Sequence, residues 1–182
     1  MRLEPLKLEG AYRVKLDRRG DERGHLERLF CRETFLAAGL ADCSCQTSQV
    51  VTHKAGTLRG LHFQHPPFNE TKLVWVYRGA LYDVLVDLRR GSPTFGQWTA
   101  LELRAGGDEL VYVPKGFAHA YFTLTDDVGI VYHMDAPYSR EHAAGIRYDD
   151  PDIGVAWPSE PAVLSDADRA WPTLAELGDL PF

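Results

Sequence analysis

GTLRGLHFQHPPFNETKLVWVYRGALYDVLVDLRRGSP, residues 56–93, is the stretch whose reading decides the fold. Within it two runs rich in Val, Leu, Tyr and Trp, Lys72 to Tyr77 and Ala80 to Leu88, are parted by Gly79 and closed by Gly91-Ser92-Pro93. Runs this short, bounded by Gly and Pro, predict β-strands joined by tight turns. The same punctuation continues outward. Gly20, Gly24, Gly56, Pro66-Pro67, Gly106-Gly107, Pro114 to Gly116 and Asp126-Asp127 bracket further runs at Trp98 to Leu103, Leu110 to Val113, Ala120 to Leu124 and Val128 to Tyr132. Many short strands at this spacing predict an all-β sandwich or barrel. Only Arg32 to Gly39 (RETFLAAG) reads as helical, with Gly39 as its stop, and a second short helix is expected from Ser165. The Pro-rich tail from Trp157 to Phe182 keeps Trp157, Leu164, Trp171 and Leu174, and is expected to lie as an ordered strap over the barrel. No internal repeat or low-complexity linker divides the chain, so a single domain over residues 1–182 is expected.

With 45% hydrophobic and 25% charged residues, the composition is that of an ordinary globular protein, neither disordered nor collagen-like. Lys and Arg number 20 against 26 Asp and Glu, a net charge of −6. Such a chain is a poor general binder of nucleic acid or of anionic membranes, so any phosphate it holds must meet a local cluster of cations. The 3 cysteines, Cys31, Cys43 and Cys45, are an odd number and make no disulfide framework, which predicts a reduced, cytoplasmic protein. Cys43-x-Cys45 has no second pair to complete a metal site and is expected in a buried strand or loop. The start MRLEPLKLEG has no apolar run of signal-peptide length, and no stretch approaches the roughly 18 residues of a membrane span. Neither secretion nor membrane insertion is expected.

Strand alternation sorts the middle of the chain into two faces. In Arg59-Gly60-Leu61-His62-Phe63-Gln64, His62 and Gln64 share one face while Leu61 and Phe63 take the other. In Lys72-Leu73-Val74-Trp75-Val76, Lys72 stands with Val74 and Val76, opposite Leu73 and Trp75. A His, a Gln and a Lys on otherwise apolar strands predict polar groups converging in the mouth of a barrel, a common place for ligand sites. Each also has a plainer reading. His62 could be a satisfied core histidine, Lys72 a snorkelling edge residue, Tyr132 a strand aromatic and Arg23 a solvated turn charge. Ser165-x-x-Asp168 taken alone reads as a helix capping box.

Two segments resemble the paired signatures of cupin barrels: Gly60-x-His62-x-Gln64 with Glu70 and Gly79, then Pro114-x-Gly116-x-x-His119. The resemblance implies a cupin-type jelly-roll β-sandwich with one or two short helices. Metal-binding cupins take two His and a Glu from the first segment and one His from the second. Here Gln64 replaces one His, leaving His62, Glu70 and His119 as a conceivable ligand set. The missing ligand and the ammonium of Lys72 both count against a metal, and no metal or cofactor is expected.

A longer set of motifs resembles the dTDP-4-dehydrorhamnose 3,5-epimerase family. It runs from Asp21-Glu22-Arg23-Gly24 through Gly56-Thr57-Leu58-Arg59-Gly60-Leu61-His62-Phe63-Gln64 and Glu70-x-Lys72-Leu73-Val74. Asp83-Val84-x-Val86-Asp87-Leu88-Arg89, Ser92-Pro93-Thr94 and Pro114-x-Gly116-Phe117-Ala118-His119 continue it. Tyr132, Tyr138, Gly145-Ile146-Arg147, Asp149-Asp150-Pro151, Trp157-Pro158 and Leu164-Ser165-x-x-Asp168 complete it, so nearly the whole chain is covered. The resemblance implies a metal-free homodimeric enzyme that epimerises C3 and C5 of a nucleotide-linked 4-keto-6-deoxy sugar. A monofunctional 3-epimerase and a metal-dependent cupin enzyme are the alternatives.

The family's roles fall on matching residues and suit their chemistry. Imidazole titrates near neutral pH, so His62 can take an α-proton, and the resemblance pairs it with Asp168 as a dyad. It gives Lys72 to the enolate, where a fixed cation meets developing negative charge, and makes Tyr132 the acid. It further implies Arg23, Glu27, Gln46, Arg59, His119 and Tyr138 as substrate-binding residues, Arg23 reaching the ligand diphosphate of the partner subunit. The chain departs from the family pattern at Ala120, His133 and Ala167, and Gln46-Thr47-Ser48-Gln49 matches it only loosely.

Overall fold

The computed structural model describes residues 1–178 and 180–182. The expected strands are present and shift by a few residues at their ends: β6 (Leu58–Gln64), β7 (Lys72–Arg78), β8 (Ala80–Asp87), β9 (Trp98–Arg104), β10 (Glu109–Val113), β11 (Phe117–Thr123) and β12 (Val128–Met134). Six further strands carry too little apolar alternation to stand out in the sequence. They are β1 (Arg2–Pro5), β2 (Tyr12–Lys15), β3 (Arg19–Asp21), β4 (Gly24–Leu26), β5 (Gln46–Thr52) and β13 (Ala143–Gly145). The hairpin β3–β4 is exposed throughout, and β5 is an edge strand that buries only one face. Helix α1 (Arg32–Ala37) buries Phe35, and α2 (Asp166–Ala170) follows Ser165 as its N-cap.

Two sheets face each other. One has the order β1-β2-β10-β7-β12-β5, the other β13-β6-β11-β8-β9. Their named pairings are antiparallel, and the chain crosses between sheets from β7 to β8, β9 to β10, β10 to β11 and β11 to β12, as in a jelly roll. Val74, Val76, Val111 and Ile130 of the first sheet pack on Leu81, Leu85, Leu103 and Phe117 of the second. Burying each such side chain contributes about 1.5–3 kcal/mol relative to leaving it exposed. The outer faces are covered too. Leu73 and Trp75 lie under α1 and the N-terminal segment through Phe35 and Leu40. Leu61, Phe63, Ala118 and Ala120 lie under the C-terminal segment through Ile146, Ile153, Trp157 and Leu180. The tail is thus an ordered strap. Buried Asp150 fastens it, accepting from Leu174 N at 2.6 Å and from Asp152 N and Ile153 N at 2.9 Å.

One irregularity decides which side chains reach the interior. His119 of β11 opposes His62, but Tyr121 opposes Arg59, so β6 carries one residue more than its partner there. Strict alternation would put Arg59 and His62 on opposite faces. The extra residue turns both toward the space between the sheets. Gly60 makes the bulge possible. Its φ is +129°, and a β-carbon there would sit 2.3 Å from Ala120 Cβ and 2.7 Å from His119 O. Gly60→Ala is therefore expected to lower the unfolding free energy by more than about 2 kcal/mol. Urea unfolding measures this, and a variant matching the wild-type midpoint would contradict the role given to the bulge.

Candidate active site

A cavity of about 510 Å³ opens between the sheets where their inner faces turn from apolar to polar. From one sheet come Arg59, His62 and Gln64 on β6 with His119 and Tyr121 on β11. From the other come Lys72 on β7, Tyr132 on β12 and Gln46 on β5. Tyr138 and Trp171 reach the wall from loop and tail. Arg23 and Glu27 are not brought to this cavity within the chain. Arg23 pairs with Asp21 on the exposed hairpin, and Glu27 is held by Arg18 at 2.6 Å.

His62 Nε2 lies 2.5 Å from Asp168 Oδ1. Ser165 Oγ accepts from Asp168 N at 3.0 Å, so Ser165 caps α2 while the Asp168 side chain turns to the imidazole. The capping and dyad readings of Ser165-x-x-Asp168 are therefore compatible, because one uses the Asp168 backbone and the other its carboxylate. Burial pushes the Asp168 carboxyl up, but the hydrogen bond and charge of His62, then Ser165 and Trp171, together hold it below the usual carboxylate range.

Lys72 is placed by a neighbour that motif spacing offered only as a metal ligand. Its Nζ lies 2.9 Å from Glu70 Oε1, while Glu70 Oε2 accepts from Gln64 Nε2 at 3.0 Å. Gln64 also donates to Phe68 O at 2.8 Å and accepts from Ser139 N at 2.6 Å. His119 is fixed by a residue the sequence did not single out as part of the site. Fully buried Asp83 meets His119 Nε2 with both oxygens at 2.9 Å. Asp83 faces inward between Leu81 and Leu85, and a lone carboxylate on so apolar a strand is the signal that marks it. Asp87, in the same motif, serves the fold instead. Its buried carboxylate accepts bonds from Arg89, Ser92 and Thr94 and so shapes the loop after β8. Burial raises the Tyr132 phenol above its ordinary value, outweighing Arg59 and Ser48, which act to lower it.

His62, Glu70 and His119 each line the cavity. Each is engaged by another protein group, and among the described residues no cluster of three or more His, Cys, Asp or Glu is placed to hold an ion. Ala120, His133 and Ala167, where the chain departs from the family pattern, line no part of the cavity, whereas Gln46 and Ser48 of the loosely matching stretch do. Ala120 packs on the outer face against the tail, His133 bonds Thr47 and stacks on Phe30, and Ala167 is exposed. Among the described residues no helix is long and apolar enough to cross a membrane.

Comparison with known proteins gives a consistent picture. The sequence model of the dTDP-4-dehydrorhamnose 3,5-epimerase family matches residues 5–176. The curated dTDP-4-dehydrorhamnose 3,5-epimerase of Sinorhizobium fredii is 46% identical over 160 residues, 87% of this chain and 82% of that protein. A dTDP-4-dehydro-6-deoxyglucose 3-epimerase of Streptomyces bikiniensis is 37% identical over 183 residues, covering 98% of this chain and 93% of that one. The crystal structure of dTDP-4-dehydrorhamnose 3,5-epimerase from Bacillus anthracis with TDP and PPi bound superposes with a TM-score of 0.89. It is 36% identical and covers 94% of this chain and 98% of that one.

The Asp168 geometry has a consequence for stability. A carboxyl lowered by folding contributes stability that is present above its unfolded value and lost as pH falls through the folded value. Asp168→Asn should therefore cost stability near neutral pH, and the gap from the wild type should narrow below about pH 4. Urea unfolding at about pH 6 and about pH 3 tests this; a gap that stays constant would show that ionised Asp168 adds no stability.

Proposed function

The chain belongs to the dTDP-4-dehydrorhamnose 3,5-epimerase family, and from that premise we propose that it inverts C3 and C5 of a nucleotide-linked 4-keto-6-deoxy sugar through an enolate. The observation that carries the mechanism is His62, bound to buried Asp168, in a cavity that also holds Lys72 and Tyr132. Both carbons flank the C4 ketone, so removal of either proton gives an enolate with its charge on the ketone oxygen.

His62 is the base. With Nε2 on the carboxylate, Nδ1 is the nitrogen free to take the proton, and Asp168 fixes that tautomer and stabilises the imidazolium. Lys72 supplies positive charge to the enolate, in the role a metal ion plays in other cupins, and Glu70 holds its ammonium in place. Tyr132 delivers a proton to the opposite face, and burial raises its phenol further above the ordinary value. Arg59 and His119 bind the substrate's anionic portion, while Gln46 and Tyr138, joined by the bond from Tyr138 N to Gln46 Oε1 at 3.0 Å, border its nucleotide end. The nucleotide carried by the Bacillus anthracis relative supports this class of substrate.

The working unit is a homodimer of single-domain chains. Arg23 and Glu27 sit at the β3–β4 hairpin, outside their own cavity and beside Leu26, which is 70% exposed. Such a hairpin suits insertion toward a partner's site, with Arg23 on the diphosphate. The three free thiols suit a reducing, cytoplasmic setting.

Reaction in heavy water followed by NMR tests the chemistry. Deuterium should enter both C3 and C5; label at C3 alone would leave a 3-epimerase like the Streptomyces bikiniensis relative. His62→Ala should slow exchange on the order of 10²–10⁴-fold with nucleotide binding nearly intact. In Tyr132→Phe exchange should outlast net inversion, and a proportional loss of both would remove Tyr132 as the acid.

The dimer has its own test. Sedimentation should give twice the chain mass, and Arg23→Ala should weaken substrate binding more than turnover. A fully active monomer would refute the shared site.

A further inference from the structure

The carboxylate that holds His62 is itself held from behind. Trp171 donates its indole N–H to Asp168 Oδ1 at 3.3 Å, the same oxygen that meets His62 Nε2 at 2.5 Å. Surrounding structure fixes the ring there. It lies against Gly145, where a β-carbon would come within 2.6 Å of the indole nitrogen, and Gly145 is the register partner of His62. On the far side Pro172 O accepts from Arg147 N at 3.0 Å, and Leu174 N is tied to Asp150. The ring also meets the imidazole edge-on, with centroids 6.3 Å apart and planes at 74°. His62, Gly145, Trp171 and Asp168 thus close a circuit of contacts.

The circuit answers a mechanical need. Asp168 stands on a five-residue helix in the tail, where Ser165 caps its backbone and also helps to hold its carboxyl low. With His62 and Ser165 alone the carboxylate keeps more freedom about its side-chain torsions. A further donor on the oxygen that meets His62 restricts that freedom.

We propose that Trp171 is a positioning residue for the proton removal: its indole N–H, wedged over Gly145, aims the Asp168 carboxylate at His62. This rests on the epimerase function proposed above, and it adds a residue that none of the motifs assigned to the reaction. Trp171 acts through Asp168.

Trp171→Phe keeps an aromatic ring and removes the donor. The other polar groups facing the dyad, Arg59, Lys72 with Glu70, His119 with Asp83, and Tyr132, are unchanged by it. The rate of solvent exchange at the sugar should fall about three- to tenfold, with KM moving less than about twofold. The acid limb of the rate profile should move up by roughly half a unit to one unit of pH, because a carboxylate short of one donor holds the imidazole proton more tightly. A folded Trp171→Phe enzyme with wild-type turnover and an unmoved acid limb would overturn the proposal, as would a loss confined to KM. The wild-type protein gives a second readout that does not depend on how the variant folds. The Trp171 indole N–H resonance, one of 4, should shift as the dyad titrates and be displaced in Asp168→Asn. A resonance indifferent to both would also overturn it. If the wild type exchanged no proton of any nucleotide-linked 4-keto sugar, the epimerase function would fall, while the indole resonance would still decide the contact.

Discussion

The pairing of His62 with Asp168 joins residues 106 positions apart and makes the whole C-terminal segment part of the site. His62 stands on an inner strand whose place is set by the β-sheet ladder. Asp168 stands on a short helix that would have no fixed place without the strap. Specific contacts hold the strap: the Asp150 carboxylate on Leu174 N, Trp157 Nε1 on Tyr148 O at 2.8 Å, and the Thr57–Val163 bridge before α2. Its apolar residues bury the outer face of the β6 sheet, so the same packing that stabilises the fold delivers the carboxylate. Loosening the tail costs core burial and dyad geometry together.

The buried carboxylates inside the sandwich persist because they are paired. A buried charge without a partner costs several kcal/mol, and the carboxylates around the cavity meet that cost by pairing. Asp83 lies opposite His119, Glu70 lies between Lys72 and Gln64, and Asp168 lies between His62 and Trp171. His62, His119 and Lys72 face the cavity, where Glu70 also reaches the wall, while Asp83 and Asp168 lie behind it. Each cation or imidazole is thereby presented in a fixed orientation, and Asp83 and Asp168 are shielded from water. Such pre-organisation lets fixed charge act where a reaction develops charge, with little rearrangement at the moment it does so.

Much of this was legible from residue types and spacing. The face assignment on β6 and β7 holds because strand periodicity is strict: Leu61 and Phe63 pack outward, while Lys72 stands with Val74 and Val76 on the inner face. Arg59 defeats that rule, since it reaches the His62 face only through the bulge at Gly60. Asp83 was hidden in a motif whose apolar neighbours read simply as strand, and Trp171 passed for strap packing. The N-terminal strands were illegible for a different reason. Their burial comes from α1 and the chain's own start, not from a face they could bury alone, so their sequences show charge and little period. Asp168 shows a further limit: one residue can satisfy a capping pattern with its backbone and a dyad with its side chain, and spacing cannot separate the two.

The position of the cavity follows from how apolar and polar residues are apportioned along single strands. On β12 the inner face runs Val128, Ile130, Tyr132; on β7 it runs Val76, Val74, Lys72. The two strands are antiparallel neighbours, with Ile130 opposite Val76, Tyr132 opposite Val74 and Met134 opposite Lys72, so Tyr132 and Lys72 fall diagonally at the same end. One end of the sandwich is thereby sealed by close-packed aliphatic side chains, and the other cannot be, because Tyr132 and Lys72 need polar surroundings. The five-stranded sheet supplies those surroundings from His62 and His119, cross-strand partners in register. Filling the open end with aliphatic residues would add burial and stability while removing every polar group that faces the cavity. The fold can carry that open end because the apolar end and the two covered outer faces supply the stability that the cavity does not.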